Sequence, residues 1–155
     1  MPKIDESRPF IPVSIAVLTV SDTRELPGDK SGATLVELIE KSGHKVADRA
    51  IVKDDIAQIR AKVLSWIADP NIDVVITTGG TGFTGRDVTP EAIRPLFEKE
   101  IEGFSTVFHM ISYEKVGTST IQSRACAGLA QETYIFCLLG SPGACRDAWN
   151  GILQW

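Results

Sequence analysis

The sequence predicts an α/β fold with a mainly parallel central sheet and helices on both faces. Two observations carry this prediction. Residues 13–20, 73–78 and 134–139 are nearly continuous runs of apolar and β-branched side chains, the pattern of strands buried on both faces. Between them lie segments with apolar residues at helical spacing, and the connections are long enough for crossovers.

Each element follows from its residues. Residues 1–12 hold three prolines and mixed charge and read as a tail, leaving residues 13–155 as one domain. After the first strand, the polar stretch 21–32 contains Pro27 and Gly28. Ser31 is the expected cap of a helix reaching about Lys41, with Leu35, Leu38 and Ile39 on one face and Gly43 beyond its end. Residues 45–52 read as a second strand. Asp54 or Asp55 then caps a helix whose Ile56, Ile59, Val63, Trp66 and Ile67 share a face. Residues 73–78 form the third strand, followed by a glycine-rich loop to Asp87. Thr89-Pro90-Glu91 reads as a helix start, with Thr89 as N-cap and Pro90 at the first position. A further helix covers about 104–115, residues 118–131 give no clear pattern, and 134–139 is the fourth main strand. The last helix carries Ala148, Trp149 and Ile152. Its pattern is still running at Trp155, which leaves open whether the natural protein or its ordered region extends further.

Composition narrows the function classes. A length of 155 residues suits one domain, since domains run roughly 100–200 residues. Hydrophobic residues at 43% and charged residues at 23% exclude general disorder. Lys+Arg 16 against Asp+Glu 20 gives a net charge of −4, so non-specific nucleic-acid binding is not expected. Any anionic ligand must be met locally, by backbone N–H groups, single cations or a metal. Cys126, Cys137 and Cys145 are odd in number and form no CxxC, so they read as small buried residues. The two histidines, His44 and His109, offer no zinc motif. No apolar stretch approaches the ~20 residues of a membrane span, and the cytoplasm is the expected location.

In parallel sheets, ligands bind beyond the carboxyl ends of the strands. That rule selects the loops at 21–23, 53–55, 79–87 and 140–143. The third is the most informative: Thr78 to Gly85 packs four glycines and three threonines into eight residues. Glycines let a ligand approach the backbone, and successive N–H groups form an anion-binding nest. Thr78, Thr81 and Thr84 add hydroxyls, Arg86 a cation and Asp87 a carboxylate. A carboxylate beside a phosphate cradle is repulsive unless a cation lies between, which points to Mg²⁺. The literal GxGxxG at 80–85 is discounted as a dinucleotide site, because it follows the third strand and its last glycine does not open a helix.

Thr77-Thr78-Gly79-Gly80-Thr81-Gly82, continued by Arg86-Asp87-Val88-Thr89-Pro90-Glu91-Ala92, resembles the signature of the molybdenum-cofactor biosynthesis domain. Residues 18–23 and Gly140-Ser141-Pro142-Gly143 agree with it. The stretches 101–104 and 117–125 most resemble the protein B branch of that family. The likeness runs from about Phe10 onward. It implies a three-layer α/β sandwich that assembles as a trimer or hexamer, and molybdopterin as ligand. It also implies AMP transfer from Mg-ATP to the terminal phosphate of molybdopterin, in a pathway shared with other cofactor-biosynthesis proteins. The length matches the family domain alone, without a second domain for molybdate insertion.

By the same resemblance Asp54 and Asp87 are the catalytic, Mg²⁺-holding acids. Ser21, Asp22, Thr78, Gly79, Gly80, Thr81, Gly82 and Arg86 would bind nucleotide or phosphate. Ser123, Arg124, Gly140, Ser141 and Pro142 would line the pterin or phosphate pocket. Each has a plainer alternative: Asp54 as a helix cap, Asp22 as a turn acid, Asp87 as a solvated loop acid, and Ser123 with Arg124 as an interface pair. Some protein B relatives lack the acid matching Asp54 and alter the stretch around Asp87, and for them a non-catalytic binding role is the alternative. This chain keeps Asp54, Arg86, Asp87, Thr89 and Pro90. It departs from the family at Leu139, where relatives usually have proline. Outside the family reading, another nucleotide or sugar-phosphate enzyme on a similar sheet remains open.

Overall fold

The computed structural model describes residues 5–23 and 25–155. Its strands are β1 (Ser14–Val20), β2 (Lys45–Val52), β3 (Val74–Thr78), β4 (Lys99–Glu100), β5 (Cys126–Ala130) and β6 (Thr133–Leu138). They form one sheet in the order β2-β1-β3-β6-β5-β4. The first four strands in that order are parallel, while β5 and β4 extend the sheet antiparallel. Helices α1 (Lys30–Lys41), α4 (Glu102–Val116) and α5 (Pro142–Ala148) cover one face; α2 (Ile56–Ile67) and α3 (Thr89–Ile93) cover the other.

The two-residue period of β1 divides the core. Ala16, Leu18 and Val20 face Ile59, Val63 and Trp66 of α2, whereas Ile15 and Val17 belong with Leu35, Ile39, Phe104, Phe108 and Trp149. A strand packed on both sides must be apolar at nearly every position, which is why β1 and β3 stand out in the sequence. Cys126, Cys137 and Cys145 are buried free thiols, as expected of small core residues. Among the described residues no helix is long and apolar enough to cross a membrane.

Two caps differ from expectation, and a third settles on one of its two candidates. Helix α1 starts at Lys30, so its cap is Asp29 and not Ser31; the Asp29 carboxylate accepts the Gly32 N–H at 3.0 Å. The same buried carboxylate accepts the Thr19 hydroxyl at 2.7 Å and pairs with Arg49 at 3.1 Å, tying β1, α1 and β2 together. Asp55, not Asp54, caps α2 through the Gln58 N–H. Thr89 is the first residue of α3 rather than its cap, and its hydroxyl donates to the Gly79 carbonyl at 2.8 Å. The stretch without a clear pattern holds a 3₁₀ turn (Gly117–Gln122) and β5, whose Cys-Ala-Gly-Leu-Ala sequence offers little β-branched signal.

Asp29 is 1% exposed and serves three partners, so it should matter more than an ordinary cap. Asp29→Ala is expected to cost about 3–5 kcal/mol, the range for removing one partner of a buried pair. Asp29→Asn, which keeps a cap oxygen, should cost less. Urea-denaturation midpoints of the two variants check this ordering.

Candidate functional site

The carboxyl ends of β2, β1, β3 and β6 lie side by side, and all four predicted loops emerge from them. β1 connects to neighbours on both sides, so the crevice between β1 and β3 is the switch point at which such sheets bind ligands. Two glycines make this convergence possible. Gly79, at φ +103°, is so close to the Val20 carbonyl that a Cβ would strike it. Gly140 approaches Gly79, where an added Cβ would lie 3.2 Å from the Gly79 Cα. The Gly79 N–H continues the sheet by donating to Leu138 O at 3.0 Å.

Beyond Gly79 the loop turns away under the constraint of Gly80, at φ +71°. A side chain on Gly80 would strike the Thr89 hydroxyl, which is itself bonded to Gly79 O. Among the described residues, the N–H groups of Gly80, Thr81 and Gly82 meet no acceptor within the protein. Uncommitted N–H groups of this kind are what an anion nest requires. Two of the threonine hydroxyls have partners within the protein. Thr78 donates to Leu139 O at 2.7 Å, and Thr84 bonds the Asp87 carboxylate through both its N–H and its hydroxyl, at 3.0 and 2.8 Å. These two hydroxyls help to hold the loop together.

Two adjoining cavities open here, and they share Gly80, Asp87 and Gly140. One, about 270 Å³, is lined by Thr19, Ser21, Ser31, Asp54 and Asp87; the other, about 290 Å³, by Thr81, Gly82, Gln122, Gly140 and Ser141. A cleft of about 600 Å³ at Ser21, Asp22, Arg49, Lys53 and Gln58 lies beside them. A more apolar cavity of about 540 Å³ sits at the opposite end of the sheet among Phe10, Val13, Val74 and Trp149, away from these carboxylates.

Asp22, Asp54 and Asp87 gather at this end of the sheet. Asp22 accepts the Asp54 backbone N–H at 3.0 Å and pairs with Arg86. Burial, then the charges of Asp22 and Asp87, raise the Asp54 carboxyl above its ordinary value, against the opposing pull of Arg86. A carboxylate destabilised by other carboxylates is suited to a cation. Among the described residues no three His, Cys, Asp or Glu side chains group as a complete metal site.

Ser123 and Arg124 lie on the far side of the loop. Arg124 donates from Nε to Gly82 O at 2.8 Å and from Nη2 to Asp87 O at 2.9 Å, and its Nη1 pairs with Glu91. That contact holds the Glu91 carboxyl below its usual range. Ser141 is exposed and caps α5 by accepting the Ala144 N–H, with Pro142 following at the first helical position. Sequence reasoning missed Thr19, Ser31 and Gln122. The first two are buried in the strand and helix that flank the crevice, and Gln122 falls in the stretch that showed no pattern.

Residues 16–154 match the family described as a probable molybdopterin binding domain. The chain is 52% identical over 147 residues to molybdenum cofactor biosynthesis protein B of Escherichia coli K12, covering 95% of this chain and 86% of that protein. The chain belongs to the molybdenum cofactor biosynthesis protein family. Within it, a crystal structure of molybdenum cofactor biosynthesis protein B superposes with a TM-score of 0.90 at 45% identity, covering 93% of this chain and 90% of that one. The tungsten cofactor synthesizing protein MoaB from Pyrococcus furiosus superposes with a TM-score of 0.82 at 39% identity, covering 92% and 91%. The α/β fold and the protein B likeness expected from the loop signature are therefore shown.

The crowding of acids has a consequence for stability. The folded-state value of Asp54 lies above its unfolded value, so ionisation costs the fold, fully so at neutral pH. Protonation removes the cost as pH falls through the raised value. Without divalent cations, Asp54→Asn should therefore raise the thermal midpoint at pH 7, and the gain should vanish in acid. Calorimetry across pH reads this directly, and added Mg²⁺ should reverse the ranking.

Proposed function

We propose that this protein transfers AMP from ATP to the terminal phosphate of molybdopterin, releasing pyrophosphate. The observation that carries the reading is that Asp54 and Asp87 line one cavity with Gly80, next to a second lined by Gly80, Thr81 and Gly82, whose N–H groups have no acceptor among the described residues. A phosphate oxygen of molybdopterin attacks the α-phosphorus, and the bond to the bridging oxygen of pyrophosphate breaks as the new P–O bond forms. The N–H groups of Gly80, Thr81 and Gly82 hold phosphate oxygens at fixed positions. This costs little reorganisation, because glycine geometry has already set them. Asp54 and Asp87 would hold Mg²⁺, which neutralises charge on the leaving pyrophosphate. Ser21, Asp22 and Arg86 border the same crevice, where the exposed Arg86 guanidinium can exchange Asp22 for a phosphate. Gly140, Ser141 and Pro142 form the opposite rim, towards the pterin.

Self-association fits the same reading. Val107, Met110, Tyr113 and Val116 of α4 are all exposed apolar side chains that contact with another copy would cover, and the trimer or hexamer itself is what the family resemblance implies.

Purified protein with molybdopterin and Mg-ATP is expected to release pyrophosphate. Asp87→Asn keeps an acceptor for Thr84 but removes the charge, and should slow release by about 10²-fold or more with the thermal midpoint little changed. Molybdopterin binding without pyrophosphate release by the wild type would leave a non-catalytic carrier or scaffold of the same pathway. Absence of binding would remove both readings.

A further inference from the structure

We propose that His109 is a positioning residue for the 79–87 loop, acting through Ser123 and Arg124. Arg124 holds the loop at both ends. Its backbone N–H donates to Thr81 O at 3.0 Å, its Nε to Gly82 O, and its Nη2 to Asp87 O. With Nη1 on Glu91, each guanidinium nitrogen already donates within the protein, and the Arg124 head lies 5.7 Å from the centre of the Phe83 ring. A planar fork can reach two carbonyls five residues apart in a way that a lysine ammonium cannot. The guanidinium therefore sets the spacing between the nest and the Asp87 carboxylate instead of binding the ligand itself.

The segment carrying this clasp is steered from α4. His109 Nδ1 lies 2.6 Å from Ser105 O and 3.2 Å from Ser105 Oγ, which fixes the ring against its own helix. Nε2 then lies 3.0 Å from Ser123 O. Both carbonyls only accept, so Nε2 donates to Ser123 O in the ring form that carries its proton there, and Nδ1 then accepts the Ser105 hydroxyl or, in the doubly protonated ring, donates to Ser105 O. Ser123 is 5% exposed, so no water takes over easily if this donor is lost. The chain of contacts runs α4, His109, Ser123, Arg124, loop. Its effect on the loop stands alone, whereas its effect on turnover rests on the adenylyl-transfer reading.

The test is amide hydrogen exchange of the ligand-free full chain, read on peptides covering residues 79–90 and on β1 as an internal reference. His109→Leu and Arg124→Lys are expected to speed exchange in the loop on the order of 3- to 10-fold with β1 unchanged. His109→Gln, whose amide nitrogen can stand where Nε2 stands, should restore wild-type exchange. If His109→Leu also speeds β1, the comparison passes to His109→Gln against His109→Asn, whose amide is too short to reach Ser123. Unchanged loop exchange in Arg124→Lys, or equal behaviour of the Gln and Leu variants (of the Gln and Asn variants where that comparison applies), would overturn the proposal. In the pyrophosphate assay, a positioning role lowers kcat with the KM for ATP nearly unchanged, whereas a rise in KM alone would mark Arg124 as a ligand contact and overturn it. A wild-type protein that releases no pyrophosphate would sink the proposed function but leave the exchange result to decide this one.

Discussion

The close approach of three strand ends is the constraint on which the site depends. Gly79 rests against the Val20 carbonyl, and Gly140 rests against Gly79. A β-carbon at either position would push β1, β3 and β6 apart at their carboxyl ends and leave the crevice without a floor. Because these ends meet, the loops after β1, β2, β3 and β6 reach one another despite being far apart in sequence. Asp22 can then accept the Asp54 N–H, and Asp87 can face Asp54 across Gly80. The carboxylates are brought together by backbone contact. Their charges repel, and burial together with the charges of Asp22 and Asp87 raises the Asp54 carboxyl above its ordinary value.

The cost has to be met by rigidity elsewhere. Asp29 joins β1, α1 and β2 just behind the crevice with one buried carboxylate, while Thr89 and Arg124 fasten the glycine loop from α3 and from the segment before β5. Such a loop has few apolar contacts, so without these polar ties its opening would be cheap. Placing the ties on carbonyl oxygens has a second effect. It leaves the N–H groups of Gly80, Thr81 and Gly82 without an acceptor among the described residues, so the bonds that fix the loop do not use up its donors.

The fold was legible in the sequence wherever burial forced a pattern. β1 and β3 need apolar residues at nearly every position, and α2 needs one face, so periodicity finds them. β5 escapes because its small residues pack closely under α4 and Phe97, where a Cβ on Gly128 would strike the Phe97 ring. The cap at Asp29 lies two residues from the expected Ser31, and of the two candidates Asp54 and Asp55 the second caps α2. Ser31 and Asp54 have the right chemistry for a cap, and only the tertiary demands of Thr19, Arg49 and the crevice decide which residue takes the role. The site was legible as loops and residue types, since parallel sheets place ligands at their carboxyl ends. How each side chain is employed was not, because hydroxyls that suit a phosphate suit a carbonyl equally well.

Arg86 and Arg124 show what separates the two cases. In sequence both are arginines near the glycine loop, and either suits a phosphate. In the structure the Arg124 side chain is 22% exposed with every guanidinium nitrogen committed to the protein, whereas that of Arg86 is 74% exposed and paired with Asp22. An exposed pair of this kind contributes little to stability and exchanges partners readily. Arg86 can therefore leave Asp22 for an incoming phosphate and return after release, and its departure would free Asp22 at the moment a cation arrives. Arg124 could do the same only by releasing both ends of the loop. On the proposed function, a polyanion in a chain with net charge −4 would be met by three backbone N–H groups, one movable arginine and a cation drawn by the acids. No basic surface is needed, and the acidic balance of the protein is compatible with an anionic substrate.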